Sequence, residues 1–286
     1  MPKQTIYLTS SVELSVRQSQ LCIKMLDTEK TFFRSLEDLQ MIVVDHYAVR
    51  FTVPLMNMLA KNNVGVVFCD EHHMPTTMLM DLDSNSMQTK HFRAQLETEK
   101  PLTKQIWKQI VERKIQNQSR LLTKLGIGED LLRSYYVNVK SGDSTNREGV
   151  AAKMYWNFLF GKPFVRDRMG PCPNNFLNYG YALLRASMAR AIMDAGLLPT
   201  VGIFHRNYYN SFPLADDLME PYRPFVDERV FALYAEGKRE IDRSIKQRLL
   251  ELQYETITQD ELSATAHSLS RIFEKEGRLM YYLEMK

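Results

Sequence analysis

The feature that most constrains the fold is a change in the spacing of apolar residues at about residue 80. Before it, apolar residues alternate with polar ones or form short β-branched runs, at residues 5–9, 12–16, 21–26, 32–33, 41–44 and 64–69. These patterns are typical of β-strands. Residues 54–62 favour a short helix, and residues 74–86, which include Pro75 and several Asp, Ser and Asn, are typical of a loop.

Beyond this loop, apolar residues recur with the period of about 3.6 that is typical of α-helices. The pattern predicts helices at residues 101–125, 129–139, 147–160, 175–195, 215–220, 225–235, 242–254 and 259–276. We therefore predict an α+β protein. Its small N-terminal β-rich domain spans residues 1–80, and a larger all-α domain spans residues 81–286.

Composition favours a globular protein of the cytoplasm. Apolar residues make up 44% of the chain and charged residues 25%, which argues against intrinsic disorder. Cys22, Cys69 and Cys172 are odd in number and far apart, as expected in a reducing compartment. We find no secretory signal and no apolar run long enough to span a membrane, so no membrane partner is expected. A glycine-rich phosphate loop is also missing from the sequence.

Two segments of the helical part carry an excess of positive charge. Residues 84–125 contain nine Lys or Arg against three Glu, and residues 162–190 contain five basic residues against one Asp. Such segments can contact a polyanion, although a solvated helix face is the commoner explanation.

Three short segments combine acidic or imidazole groups with helix-start or turn signals. In the first, Thr145 and Glu148 fit a capping box, in which the glutamate folds back onto the amide of the N-cap residue. A carboxylate in the first turn of a helix can also hold a cation if partners lie nearby. Both interpretations of Glu148 stay open at this stage.

The second segment centres on His205, which follows an apolar stretch. A single histidine in such a place is usually structural. Here, however, it is followed by Arg206, Asn207, Tyr208 and Tyr209, whose side chains can donate hydrogen bonds to phosphate.

In the third segment, Asp217 and Glu220 are i, i+3 neighbours on the predicted helix 215–220. Carboxylates placed this close repel unless a cation lies between them. The alternative is a solvated acidic helix start that the helix dipole favours. Two carboxylates and a histidine suit Mg²⁺ or Mn²⁺ acting on phosphate, so the residues indicate a metal-dependent phosphodiester enzyme.

These residues belong to four ordered motifs that resemble the signature of the Cas1 family of CRISPR-associated integrases, and more closely its type II subfamily. The motifs are Glu148-Gly149-x-Ala151-Ala152-x-x-Tyr155-Trp156, Asn175-x-x-Asn178-Tyr179-Gly180-Tyr181-x-x-Leu184-Arg185, Gly202-x-x-His205, and Leu214-Ala215-Asp216-Asp217-Leu218-Met219-Glu220-Pro221-Tyr222-Arg223-Pro224. The resemblance covers essentially the whole chain, because that family also joins a small N-terminal β domain to a larger helical one.

The resemblance implies a DNA endonuclease and integrase of CRISPR adaptation that joins the 3′-hydroxyl ends of spacer DNA to the repeat array by transesterification. It places the catalytic and metal-binding residues at Glu148, His205 and Glu220, with Asp217 as an auxiliary ligand and Mg²⁺ or Mn²⁺ as the cofactor. Some members of the family carry Asp where this chain has Glu220. The choice between Glu220 and Asp217 as the principal second carboxylate therefore stays open.

The resemblance also implies partners. They are double-stranded protospacer and repeat-leader DNA, a second copy of the chain in a homodimer formed by the N-terminal domain, and a small ferredoxin-like adaptation protein, Cas2, that bridges two dimers into a heterohexamer. In a type II system the effector nuclease and an accessory adaptation protein are further partners. We expect DNA contacts at Asn178, Tyr179, Arg206, Asn207 and Arg223.

Two other functions are weighed against the integrase. One is a non-catalytic DNA-bridging scaffold of the adaptation complex, in which the acidic residues only cap helices. The other is a general metal-dependent phosphatase or RNase, which would turn over small esters or structured RNA.

Overall fold

The computed structural model describes residues 3–80, 83–162 and 164–286. The chain divides into two compact units, Met1–Leu82 with Gln253–Thr256 and Asp83–Leu252 with Ile257–Lys286. The first unit is rich in strands and the second is helical, so the predicted α+β class is confirmed.

The first unit contains eight strands among the described residues and one helix. The strands are β1 (Gln4–Leu8), β2 (Val12–Arg17), β3 (Gln20–Met25), β4 (Thr31–Ser35), β5 (Leu39–Val44), β6 (Val49–Phe51), β7 (Gly65–Cys69) and β8 (Pro75–Leu79), and α1 spans Val53–Lys61. They form two four-stranded sheets, in the orders β1-β5-β7-β8 and β4-β3-β2-β6.

The central strand β5 explains why this part of the sequence reads as a continuous apolar run. It pairs in parallel with β1 on one side and with β7 on the other, and all its residues are buried. Strands buried on both faces have no solvent side to keep polar. Leu14, Leu39, Ile42 and Leu55 are fully buried in the core between these elements.

The second unit contains nine helices among its described residues. They are α2 (Gln88–Leu96), α3 (Lys100–Lys124), α4 (Arg133–Tyr136), α5 (Arg147–Phe160), α6 (Asn174–Asp194), α7 (Pro213–Leu218), α8 (Arg223–Ala235), α9 (Arg243–Glu255) and α10 (Gln259–Phe273), with short 3-10 segments at Ser141–Asp143 and Glu220–Tyr222. None of the helices in the described parts of the chain is both long enough and apolar enough to cross a membrane.

Helix α3 lies at the centre of this unit and packs against α4, α5 and α8 and against both 3-10 segments. Its stripe of Ile106, Ile110 and Leu121 is fully buried. Helices α6 and α8 approach closely at Gly180, where an added Cβ would lie 2.5 Å from Val226 Cγ1. Only glycine allows this approach, which brings the first third of α6 against the first turn of α8.

Three local predictions were wrong. Residues 75–79 lie in β8, because a proline is tolerated at the start of an edge strand that pairs only with β7. Within residues 129–139 only Arg133–Tyr136 is helical, since Asp130 has a positive φ of 43° and breaks the helix before it. The predicted helix 215–220 ends at Leu218, and Glu220 begins a separate 3-10 segment.

Candidate functional site

Glu148 does not cap its own helix, so the capping-box interpretation was wrong. The N-cap of α5 is Asn146, whose Oδ1 accepts a hydrogen bond from the Gly149 amide at 3.2 Å. The Asp143 carboxylate accepts from the amides of Arg147 and Glu148 at 2.8 and 3.0 Å. Because these two side chains satisfy the first amides of α5, the Glu148 carboxylate is available for another contact.

The Glu148 carboxylate contacts a lysine of α3. Lys114 Nζ lies 2.5 Å from Glu148 Oε1 and 2.6 Å from Glu220 Oε2. Glu220 Oε1 also accepts a hydrogen bond from Arg223 Nε at 2.9 Å. The Glu220 side chain is only 6% exposed and that of Lys114 only 12%. One buried ammonium therefore joins two carboxylates that are 72 positions apart in the sequence.

The charges around Glu220 decide its ionisation. Burial raises its pKa, but the positive charges of Arg223 and Lys114 outweigh burial and lower the pKa to about 2. For Lys114, burial lowers the pKa, and the two carboxylates outweigh burial and raise it. The Glu220 carboxylate and the Lys114 ammonium are therefore charged at neutral pH.

His205 is held by Asp217. Its Nδ1 lies 2.6 Å from Asp217 Oδ1, and the same carboxylate accepts from the amides of Ile203, Phe204 and His205 at 2.6, 3.0 and 3.2 Å. Gly202 permits this close turn, because a Cβ there would lie 2.4 Å from the His205 carbonyl oxygen. The hydrogen bond to Asp217 raises the pKa of His205.

The four predicted metal-site residues thus fall into two pairs. Glu148 and Glu220 converge on Lys114, whereas His205 contacts Asp217. Among the described residues, no three His, Cys, Asp or Glu side chains form a ready ligand cluster. The positive charge of His205 nevertheless lowers the pKa of Glu220, which places the two pairs within electrostatic range.

The donor set at the carboxylate pair fits a hard cation. Glu220 Oε2 is buried and lies 2.6 Å from the Lys114 ammonium. Two carboxylate oxygens that converge on one cationic group suit an ion that prefers oxygen ligands. Glu148, Glu220 and the nitrogen of His205 are therefore chemically suited to Mg²⁺ or Mn²⁺.

A second buried network supports the same helices. Asp227 of α8 accepts hydrogen bonds from Tyr155 of α5, at 2.8 Å, and from Tyr181 of α6. The Arg223 guanidinium lies 4.4 Å from the centre of the Tyr181 ring. Burial raises the pKa of Asp227 to about 7, against the opposing effect of both tyrosine hydroxyls. The network connects the helices that carry Glu148 and Arg223.

Comparison with known proteins identifies the family. The family model for the CRISPR-associated protein Cas1 matches residues 6–249. The chain belongs to the Cas1 family. The CRISPR-associated endonuclease Cas1 of Neisseria meningitidis serogroup C is 34% identical over 277 residues, which cover 95% of this chain and 90% of the relative. The family resemblance of the four motifs is thereby confirmed.

Solved structures show the same fold. A casposase bound to its integration product has a TM-score of 0.79 and 22% identity, and the match covers 98% of this chain and 92% of the casposase. A complex named Cas6-RT-Cas1–Cas2 has a TM-score of 0.72 and 20% identity over 100% of this chain and 36% of the larger one. At these identities the likeness extends to the fold alone.

The structure separates the five residues that we expected to contact DNA in this Cas1 chain. Arg206 and Asn207 are exposed. Asn178 accepts a hydrogen bond from Arg166 and donates one to the Arg168 carbonyl, so it orders the preceding loop.

Two of these expectations do not fit the structure. The Tyr179 side chain is fully buried, which excludes a direct DNA contact in this conformation. Arg223 is engaged with Glu220 and Tyr181 rather than exposed on a surface. Aromatic and basic residue types alone therefore did not distinguish core positions from surface positions.

Much of the positive charge in residues 84–125 is neutralised by acidic side chains. The described ion pairs join Lys90 to Glu274, Lys108 to Glu112, Arg113 and Arg120 to Glu284, and Lys124 to Glu228. Lys100 and Lys104 are exposed or partly exposed and have no acidic partner among the described ion pairs. The basic surface available to a polyanion is therefore smaller than the sequence predicted.

Lys114 is the residue of this site that sequence reasoning missed, because it was counted only as part of the basic segment. It lies four positions after Ile110 and seven before Leu121, in line with the buried stripe of α3, and its side chain is only 12% exposed. A lysine at a buried helix position requires a partner of opposite charge. The position of Lys114 in line with these apolar residues could therefore have identified it from the sequence.

Proposed function

We propose that this chain is a divalent-metal-dependent DNA integrase and endonuclease of CRISPR adaptation in a type II system. The observation that carries the proposal is the convergence of Glu148 and Glu220 on a single cation position, within electrostatic range of His205. The endonuclease name of the Neisseria meningitidis relative supports the same class of chemistry.

Glu148 and Glu220 would hold Mg²⁺ or Mn²⁺ through anionic oxygens, and His205 would add a ring nitrogen. The ion, when bound, supplies Lewis acidity to the phosphodiester and makes the attacking hydroxyl more acidic. Asp217 has a different role in this proposal. Its oxygens already accept four hydrogen bonds from residues 203–205, so it orients His205 and leaves the second carboxylate position to Glu220.

In the proposed reaction, the 3′-hydroxyl oxygen of a spacer end forms a bond to a phosphorus atom of the repeat strand. The attacking hydroxyl gives up its proton, the bond from that phosphorus to the neighbouring 3′-oxygen breaks, and the departing oxygen takes up a proton. Because Nδ1 of His205 is bound to Asp217, its Nε2 remains to act as a ligand or to move a proton. If water replaces the 3′-hydroxyl, the same arrangement cleaves DNA.

The partners are proposed on separate grounds. In the first unit, β4 is an edge strand, and it exposes Phe32 and Phe33 at 44% and 45%. An apolar edge of this kind suits pairing with a second copy of the chain. A structural neighbour named for a Cas1–Cas2 complex supports Cas2 as a partner, and one named for an integration product supports DNA.

The decisive experiment measures half-site integration of a fluorescent DNA duplex into a supercoiled plasmid that carries a repeat, with Mn²⁺ or with EDTA. We expect integration in Mn²⁺ only. We expect Glu148→Ala, His205→Ala and Glu220→Ala to lose it at least 100-fold, about the effect of removing one group that stabilises a transition state. Glu112→Ala, a glutamate of α3 that pairs with Lys108, is the matched control and should retain it.

The scaffold alternative gives a different result. Without catalysis, Glu148→Ala would affect only stability, through the loss of its ion pair with Lys114, and would leave DNA binding intact. Integration by the wild-type protein in EDTA, or integration that survives all three alanine substitutions, would reject the proposed site. Turnover of small phosphate esters or structured RNA without joined DNA would favour the general phosphatase or RNase.

A further inference from the structure

The side chain of Lys114 occupies the position between Glu148 and Glu220 that a metal ion would require. Its Nζ is 2.5 Å from Glu148 Oε1 and 2.6 Å from Glu220 Oε2. The one ammonium therefore supplies positive charge to both carboxylates.

Lys114 is fixed in this place by its helix. Three residues further along α3, the Asn117 Nδ2 group donates to the carbonyl of Pro221 at 2.8 Å, next to Glu220. This bond attaches α3 to the 3-10 segment that carries Glu220. The two carboxylates and the ammonium are consequently held together by backbone elements and not by chance side-chain conformations.

We propose that Lys114 is the counter-cation of the metal-free site, that a divalent ion must displace its ammonium from between Glu148 and Glu220, and that this displacement couples metal binding to DNA binding. The inference rests on the proposed function, because it takes the two glutamates as metal ligands. It adds a positioning role for Lys114 that the three proposed catalytic residues do not contain.

Charge explains the coupling to DNA. In the metal-free site, the charges of Glu148 and Glu220 are balanced by those of Lys114 and Arg223. A divalent ion would leave this set with two excess positive charges in a buried place, which is costly. A DNA phosphate supplies the missing negative charge and a new partner for the displaced ammonium. The ion should therefore bind weakly without DNA and more tightly with it.

The first test is calorimetric titration of Mn²⁺ into the DNA-free protein. Lys114→Met removes the competing charge with similar side-chain volume, and Lys114→Gln keeps a polar end in case the methionine variant does not fold. We expect both to bind Mn²⁺ at least about tenfold more tightly than wild type, within the usual range of coupling between two binding events. In EDTA both variants should melt at a lower temperature than the wild type, because the two carboxylates lose their counter-charge. Added Mn²⁺ should restore the melting temperature of both variants.

Two further variants distinguish a failure of the proposed metal site from a failure of the proposed role of Lys114. Lys108→Met removes a lysine of the same helix that pairs with Glu112 outside the site, and should leave Mn²⁺ affinity unchanged. Glu148→Gln should weaken Mn²⁺ binding. If Glu148→Gln binds Mn²⁺ as wild type does, the proposed metal site is wrong. If Glu148→Gln weakens binding but neither Lys114 variant tightens it, only the role of Lys114 is overturned.

The second test measures the coupling itself. The affinity for a fluorescent duplex with dideoxy 3′ ends, which cannot be joined, is followed by anisotropy in Mn²⁺ and in EDTA. By reciprocity, Mn²⁺ should tighten DNA binding by the factor by which DNA tightens Mn²⁺ binding. We expect this factor to fall in both Lys114 variants and to stay unchanged in Lys108→Met. An equal factor in all four proteins would contradict the coupling.

Discussion

The imidazole of His205 and the carboxylate of Asp217 lie 2.6 Å apart, and the same carboxylate accepts the backbone amide of His205 at 3.2 Å. Asp217 thus fixes both the ring and the backbone of this residue. Its side chain is fully buried, whereas that of His205 is 39% exposed. The exposed part of the ring is available to a ligand, while the buried carboxylate sets its orientation.

Replacing Asp217 with Asn should lower the pKa of His205, because the hydrogen bond to Asp217 is the main cause that raises it. The His205 ring should then lose its proton at a lower pH than it does in the wild type. NMR titration of the His205 ring in metal-free protein measures this change directly. Asp216→Asn is the control, since Asp216 is held by Arg185 at 2.8 Å and has only a minor influence on His205. Equal pKa values for His205 in wild type and Asp217→Asn would contradict the assigned bond.

The buried carboxyl of Asp227 should make stability depend on pH. Burial raises its pKa from 3.8 to about 7, so the folded protein binds a proton that the unfolded chain releases over this interval. Stability contributed by this group is therefore full below about pH 4, falls as pH rises to about 7, and stays constant above it.

Asp227→Asn removes this titration and keeps the shape of the side chain. The free energy of unfolding of wild type minus that of Asp227→Asn should fall by about 2 to 3 kcal/mol between pH 5 and pH 8. Urea unfolding at several pH values measures it. Asp260→Asn, at the exposed start of α10, should give a difference that varies much less. A difference for Asp227 that grows with pH would show that the carboxyl is ionised in the core.

The sequence was most informative for helices and strands whose own pattern of apolar residues determines their secondary structure. Helix α5 spans Arg147–Phe160, as its apolar period predicted, and β5 is the buried strand that its apolar run indicated. Strand β8 was missed because its exposed Thr76 and Thr77 give no alternating pattern. An edge strand of this kind is defined by hydrogen bonds to β7, which the period of its own residues does not reveal.

Contacts between distant parts of the chain were likewise not predictable at the candidate site. The sequence could name Glu148, His205, Asp217 and Glu220, because carboxylates and histidines are a small set of chemical groups. It could not pair them, since Lys114 and Glu148 lie 34 positions apart and their contact depends on how α3 packs against α5. The capping box failed for a related reason. Asn146 adopts a left-handed conformation with φ of 49° and takes the cap position from Thr145.

Asn178 should control the order of the basic loop that precedes α6. Its Oδ1 accepts from Arg166 at 2.7 Å and its Nδ2 donates to the Arg168 carbonyl at 2.8 Å. Asn178→Ala should release this loop, and trypsin should then cleave after Arg166 or Arg168 several times faster. Asn175→Ala is the matched control, because among the described residues the Asn175 side chain accepts its hydrogen bond from the adjacent amide of Phe176. Equal cleavage rates in both variants would show that other contacts hold the loop.

Trp107 should position the loop that carries His205. Its ring is buried and stacks on Phe204 with 4.3 Å between centres and 3° between planes, and its centre lies 5.9 Å from that of His205. Trp107→Leu should cost about 2 to 4 kcal/mol of stability through the cavity it leaves. It should also reduce DNA integration at least tenfold while Mn²⁺ still binds at Glu148 and Glu220.

The control is Trp156→Leu, which replaces the other tryptophan of the chain, whose ring stacks on Phe160. This variant should also lose stability, but its integration rate per folded molecule should stay near that of wild type. Equal losses of integration in the two variants would mean that Trp107 acts only through stability and does not position His205.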